Sequence, residues 1–271
     1  MTTRPRLFVT LEGYAVEGGY DQPGGPMTCY SPTVSLGRHA GPGVADDLWH
    51  HYERVLDFVP GLGFDGIRLT IEWARVEARP GEVDQRALER YGEVIAYARS
   101  LDLQITLALV DAVWPSWLGQ EAWLLPWVVP HVLGHAQLIV ASFANEITGV
   151  VAFTRPRELV TNGYLHGTAP PWRRGARRDA AFAHAQIEGL LAALEADPVV
   201  GPRLVKSCAA MTPDVAPDDL VTARHSLDVD ELYVRSLLRG SGPTAVARGL
   251  LVRHGDEWRV DAPQDFLRAL R

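Results

Sequence analysis

Two hydrophobic patterns alternate along the chain. Short segments in which most positions are apolar, RLFVTLEG (6–13), GIRLTIEW (66–73), LQITLALVD (103–111), GVVAFT (149–154) and RLVKSCAAM (203–211), are separated by longer stretches with apolar residues three and four positions apart. The first pattern is that of a strand covered on both faces, the second that of a surface helix. DDLWHHYERVLDFVPGLG (46–63) predicts a helix with Leu48, Tyr52, Val55 and Val59 near one face, ended by Gly61 and Gly63. VDQRALERYGEVIAYARSLDL (83–103), VLGHAQLIVASFANEI (132–147) and AAFAHAQIEGLLAALEAD (180–197) predict three more. The segment after GVVAFT reads as a long polar loop. The Gly- and Pro-rich stretch from Gly18 to Pro42 also has no periodicity, and a loop of that length belongs more often to a site than to a scaffold.

Strands alternating with helices predict an α/β fold with a parallel sheet. Polar residues gather where the strands end: Glu72, Asp111, Arg155 and then Lys206. A closed β/α barrel brings such ends together, whereas a dinucleotide-binding sheet needs a glycine fingerprint that EGGYDQPGGP (17–26) does not provide. After Gly240 only GLLVRHGDEWRV (249–260) has strand character. The fold expected is therefore a shortened or incomplete TIM-like barrel, a single domain over 1–271 with an atypical section from about 241. Either its last part is compressed, or an open edge is covered by a helix or a second subunit, which leaves a homodimer open.

Composition removes several function classes. A net charge of -7 offers no basic field for nucleic acid. The longest apolar run, WLLPWVVP (123–130), is broken by proline, and the N-terminus has no hydrophobic targeting core, so no membrane association is expected and the cytoplasm is. In that reducing setting Cys29 and Cys208 are expected to be free thiols. Lys206 is the one lysine in the chain. Facing inward it could lose solvation and form a Schiff base; facing outward it would snorkel or pair with an acid.

The order and spacing of several motifs resemble the family 1 glycoside hydrolases, the β-glucosidase-like retaining enzymes. LGFDGIRLTIEWARVEARPGEVDQRALERY, with Arg68, Glu72, Trp73, Arg75 and Gly81, is similar to their second strand and following helix. TLALVDAVWPSWL resembles the third-strand segment with two extra residues between Asp111 and Pro115, and residues 135–171 follow the family pattern without a gap. The resemblance covers roughly residues 6–213 and implies a retaining-glycosidase barrel. The positions it implies for catalysis hold other residues: Thr154, Arg155 and Pro156 where the Asn-Glu-Pro motif belongs, Ala15 for the sugar-binding glutamine and Leu109 for the histidine. The nucleophile's Glu-Asn-Gly motif has no counterpart. An arginine cannot donate a proton near neutrality.

The candidate chemistry follows. Asp111 and Glu72 could move protons if burial separated their pKa values, with Glu17 as an alternative carboxylate and His166 at the mouth. Arg155 either clamps an anionic group or pairs with Glu72 or Asp111 as scaffold; Arg68 would form the other half of the pocket. Glu158 either contacts ligand or salt-bridges an arginine. Of seven tryptophans near the expected mouth (Trp49, Trp73, Trp114, Trp117, Trp123, Trp127, Trp172), Trp114 in the insertion is the expected ligand contact. His131 and His135 have metal-compatible spacing but no third ligand, so neither metal nor cofactor is expected. The leading expectation is a small-molecule enzyme of secondary metabolism, acting on a polar or anionic, or glycosylated, metabolite by lyase, isomerase or cyclase chemistry. The alternatives are a non-catalytic carbohydrate or metabolite binder or partner subunit, and a glycosidase with relocated carboxylates.

Overall fold

The computed structural model describes residues 7–205 and the backbone of Leu251–His254 and Glu257–Val260. The chain divides into two compact units, Met1–Arg155 with Gly189–Val205, and Pro156–Glu188 with Lys206–Arg271.

The first unit is a β/α array. Strands β1 (Phe8–Leu11), β2 (Gly66–Thr70), β3 (Gln104–Val110) and β4 (Gly149–Phe153) pair in parallel, in the order of the chain. Between them run helices α1 (Leu48–Leu56), α2 (Gln85–Ser100) and α3 (Val128–Phe143). A doubly wound sheet reverses its strand order at a switch point; here neighbours in sequence are neighbours throughout, which is barrel connectivity. Thr10, Arg68, Thr106 and Gly149 stand side by side in register, so one layer crosses all four strands. Beyond β4, Leu204 makes a single parallel bridge to Val150. The fold is α/β, a parallel sheet flanked by helices with the strand order of an incomplete or shortened TIM-like barrel.

The apolar patterns explain these elements. All five residues of β4 and the last four of β3 are buried, as a strand covered on both faces requires. In α2 the buried residues Ala87, Leu88, Tyr91, Val94, Ile95 and Ala98 form one stripe. The Asp84 carboxylate caps this helix, accepting the backbone N–H groups of Arg86 (2.9 Å) and Ala87 (3.2 Å).

Several elements differ from the sequence expectation. Strand β1 stops at Leu11, and Gly13–Val16 forms one helical turn. The helix expected over 46–63 breaks in two, Leu48–Leu56 and Phe58–Gly61. Helix α3 starts four residues before Val132, with Pro130 in its first turn, where no intrahelical N–H bond is lost. The 18–42 loop contains a helical turn, Ser31–Ser35, and is pinned to the β3–α3 connection by Cys29 N–H to Trp114 O (2.9 Å) and Ser116 N–H to Met27 O (2.8 Å). Of the strand expected over 203–211 only the first three residues are described: Arg203 ends a 3-10 turn and Leu204 makes the isolated bridge, while Lys206 and Cys208 lie outside the described residues.

In the second unit the polar segment after β4 is helical, not a loop: Pro156–Val160 is followed by a π-turn, Thr161–Leu165. Helix α4 (Arg177–Ala196) begins in this unit, three residues before Ala180. Strands β5 (Leu251–His254) and β6 (Glu257–Val260) form an antiparallel hairpin that is a sheet of its own.

Candidate functional site

The C-terminal ends of the four strands carry Glu12, Glu72, Asp111, Thr154 and Arg155. Arg155 grips Asp111 with both arms of its guanidinium: Nε donates to Oδ1 at 2.9 Å and Nη2 to Oδ2 at 2.8 Å. Nη2 also lies 3.1 Å from Oε2 of Glu12, and the Thr154 hydroxyl donates to Oδ1 of Asp111. Burial would push the Asp111 carboxyl up, but the Arg155 hydrogen bonds and charge, the Thr154 hydroxyl and the Ala112 N–H outweigh it and hold the pKa below the ordinary value. Asp111 is thus a buried, ionised carboxylate, whereas the Arg155 side chain keeps 32% of its exposure.

A second carboxylate, Glu17, sits fully buried beneath the first helical turn. Its Oε2 accepts from Tyr20 OH (2.5 Å) and Arg75 Nε (2.8 Å), and its Oε1 from Tyr91 OH (2.6 Å). Arg75 also donates to Gly18 O at 2.9 Å and lies over the rings of Trp49 (4.0 Å) and Tyr20 (4.7 Å). Three donors and two aromatic faces account for a buried ion pair without any ligand.

Glu72 stands electrostatically between these clusters. It is 1% exposed, and its Oε2 has no hydrogen-bond partner among the described residues. Burial, then the charges of Glu17 and Asp111, raise its pKa well above the ordinary value, against the weaker pull of Arg75 and the Tyr14 N–H. Its own N–H donates to Tyr91 OH at 3.0 Å, and the carboxyl packs against Gly13, where an added Cβ would stand 3.0 Å from Oε2. Burial and two neighbouring carboxylates thus favour the protonated form of Glu72, while Arg155 and Thr154 favour the ionised form of Asp111.

The other expected residues fall into several places. Arg68 is half-buried on β2, four residues before Glu72, with Nε unpartnered among the described residues. Trp114, expected to meet ligand, is fully buried; its Nε1 donates to Gly119 O (2.9 Å) and its ring packs edge-on to Trp123. Trp73 and Trp123 are likewise core, while Trp49 covers Arg75 and Trp127 is 41% exposed. Glu158 lies in the first turn of Pro156–Val160, and His166 caps the π-turn, its N–H bonded to Thr161 O (2.8 Å); both belong to the second unit. His135 stacks on Trp73 at 4.9 Å and burial pushes its pKa down to about 3, while His131 packs edge-on to Trp117. Among the described residues no group of three or more His, Cys, Asp or Glu is placed to hold a metal ion, and no single helix is long and apolar enough to cross a membrane.

Glu12, Tyr14 and Tyr91 escaped the sequence reading. Glu12 follows the same rule as Glu72 and Asp111, an acid near a strand end, but the pattern RLFVTLEG predicts a strand running through it, whereas the strand stops at Leu11. Tyr91 reads as one more core aromatic of α2, and only its hydroxyl's two partners reveal its role.

Comparison with known proteins agrees with this architecture. The profile described as Glycosyl hydrolase family 1 matches residues 9–255. Beta-glucosidase 21 of Oryza sativa subsp. japonica is 25% identical over 166 residues, 59% of this chain and 32% of that protein. Coniferin beta-glucosidase of Pinus contorta is 28% identical over 171 residues, 60% of this chain and 33% of that protein. Virulence factor SghA of Agrobacterium tumefaciens has the same fold, with a TM-score of 0.71 at 19% identity over 92% of this chain and 59% of that one. The chain thus spans about a third of the length of these two curated relatives. With the profile running from β1 to the β5–β6 hairpin, the chain belongs to glycosyl hydrolase family 1.

Proposed function

We propose that this protein acts on glycosides with relocated carboxylates, Glu72 serving as proton donor and Asp111 as the ionised partner. The observation that carries the reading is the separation of their pKa values: Glu72 is pushed up by burial and then by the charges of Glu17 and Asp111, and Asp111 is held down by Arg155, Thr154 and the Ala112 N–H. Glycoside cleavage needs one protonated and one ionised carboxyl flanking the bond, and a pair driven apart by environment supplies both near neutral pH. The end of β4, where the family resemblance implies the proton donor, carries Arg155, so the acid must come from elsewhere. Glu72 would give its proton to the leaving oxygen, Asp111 would stabilise positive charge developing at the sugar carbon, and water would add to that carbon while returning a proton to the Glu72 carboxylate. Arg68 on β2, whose Nε–H has no partner among the described residues, would meet a sugar hydroxyl. Membership of a glycosidase family supports this over the lyase, isomerase or cyclase chemistry expected from the other residues at the family's catalytic and sugar-binding positions.

The test is release of 4-nitrophenol from 4-nitrophenyl β-D-glycosides. Turnover by the parent protein should fall about a hundredfold or more in Glu72→Gln and in Asp111→Asn. No release from the parent protein, or undiminished release from both variants, removes the reading. One observation favours a binder without turnover: Arg155 already occupies both oxygens of Asp111. That reading expects saturable glycoside binding with no release.

A further inference from the structure

The 18–42 loop has a use that the strand-end carboxylates do not explain. Together with the first helical turn it lines an open pocket of about 420 Å³, formed among others by Tyr14, Val34 and Pro42 and by the exposed residues Asp21, Met27 and Ser35. That volume is within the usual range for small-molecule sites, which are apolar with a few convergent polar groups. The apolar part here is Met27, Val34 and two prolines, Pro23 and Pro42. The aromatic part is Tyr14, stacked on Tyr30 at 5.2 Å and tilted against Tyr20 at 4.9 Å.

The polar groups are few and most are uncommitted. Ser31 Oγ is used by the Thr28 N–H and the Tyr20 hydroxyl by Glu17. The Tyr14 hydroxyl, the Ser35 hydroxyl and the Asp21 carboxylate make no side-chain hydrogen bond or ion pair among the described residues. Asp21 is the single formally charged residue of the lining. Its position depends on a glycine: a Cβ at Gly41 would stand 2.7 Å from Asp21 Oδ2 and 2.9 Å from its Cβ. A negative charge at one side of an aromatic and apolar wall selects a positive charge on an apolar body, because a cation gains from both the carboxylate and the ring faces. A neutral ring or a bare ammonium would satisfy only one part of the wall.

We propose that this pocket binds a small organic monocation, an ammonium group carried on an aromatic ring, with Asp21 receiving the ammonium and Tyr14 the ring. The site stands independently of any glycoside chemistry, since none of its lining residues is one of the proposed reacting carboxylates. It touches that chemistry at one point, Tyr14, whose backbone N–H is bonded to the Glu72 carboxyl.

Calorimetric titration of the full chain with tyramine, 4-ethylphenol and ethylammonium tests the assignment. Tyramine should bind saturably, at least tenfold more tightly than either fragment. Asp21→Asn should weaken tyramine about tenfold while leaving 4-ethylphenol unchanged, and Gly41→Ala should weaken tyramine by displacing the same carboxylate. Equal affinity for tyramine and 4-ethylphenol, absence of saturable tyramine binding up to 10 mM, or an unaltered affinity in a folded Asp21→Asn would each overturn it. Circular dichroism of the two variants confirms that they are folded before titration.

Discussion

Arg155 and Asp111 lie 44 residues apart in sequence, yet their side chains meet in a two-point ion pair across the ends of β4 and β3. The carboxylate is buried and the guanidinium is one-third exposed, so the two partners do not contribute equally. Removing the arginine strands a charge in the core. Arg155→Ala should therefore cost about 3 kcal/mol at neutral pH. Because the paired Asp111 pKa lies below its unfolded value, the pair's contribution is present above about pH 4 and is lost as pH falls through the folded value. In Arg155→Ala the carboxyl, no longer compensated, titrates upward and becomes neutral in mild acid. Urea denaturation at pH 7 and pH 4 should show the gap between parent and variant narrowing in acid; a constant gap would refute this account.

Glu72 gives the opposite slope. Its pKa is raised in the folded state, so it carries no penalty below the unfolded value of about 4.3 and destabilises progressively as pH rises toward the folded one. Glu72→Gln keeps the shape and removes the titration. Its denaturation midpoint should exceed the parent's at pH 7, and the two should converge near pH 4. A glutamine variant less stable than the parent at neutral pH would mean that the carboxyl is ionised and held by a partner.

The Tyr91 hydroxyl serves two groups at once, donating to Glu17 Oε1 and accepting the Glu72 N–H. Tyr91→Phe leaves both without that partner while preserving the ring against Trp49 at 5.3 Å. The loss should be about 2–3 kcal/mol, because one of the broken bonds is to a buried charge. Thermal denaturation at pH 7 measures it; a shift of less than about 2 °C would show the network relaxing onto other donors.

Much of this fold could be read before any coordinates, and the reason is local. A parallel strand covered on both faces is an apolar run, and α2 is an amphipathic stripe. Misplaced boundaries came from signals with two meanings. Pro130 reads as a helix breaker but is harmless in a first turn, and the segment after β4 lacks a stripe because two short helical pieces, not one long helix, occupy it. For the site, the carboxylates were visible as strand-end acids, but their states were not. Whether Asp111 or Glu72 is ionised depends on burial and on Arg155 for the first and Glu17 for the second, which reach them from distant positions. Trp114 shows the same limit: an insertion near a site suggested a ligand contact, while its indole N–H is satisfied by Gly119 five residues on.

Gly13 links the first helical turn to both buried acids and supplies a test of that packing. Its conformation is helical, so on backbone grounds alanine should stabilise the turn by about 0.5–1 kcal/mol. Its surroundings argue the other way: an added methyl would stand 3.0 Å from Glu72 Oε2, 3.1 Å from Glu72 Cβ and 3.2 Å from Glu17 Oε1. Crowding of this kind costs about 1–3 kcal/mol, which outweighs the backbone gain, so Gly13→Ala should destabilise. The excess belongs largely to the Glu72 carboxyl. In a Glu72→Ala background the same substitution should therefore cost less, by about 1 kcal/mol, the coupling expected of residues in contact. A double-mutant cycle in urea measures this difference. Identical costs in the two backgrounds would mean that Gly13 does not confine the Glu72 carboxyl, and the constraint on the proposed proton donor would have to lie elsewhere.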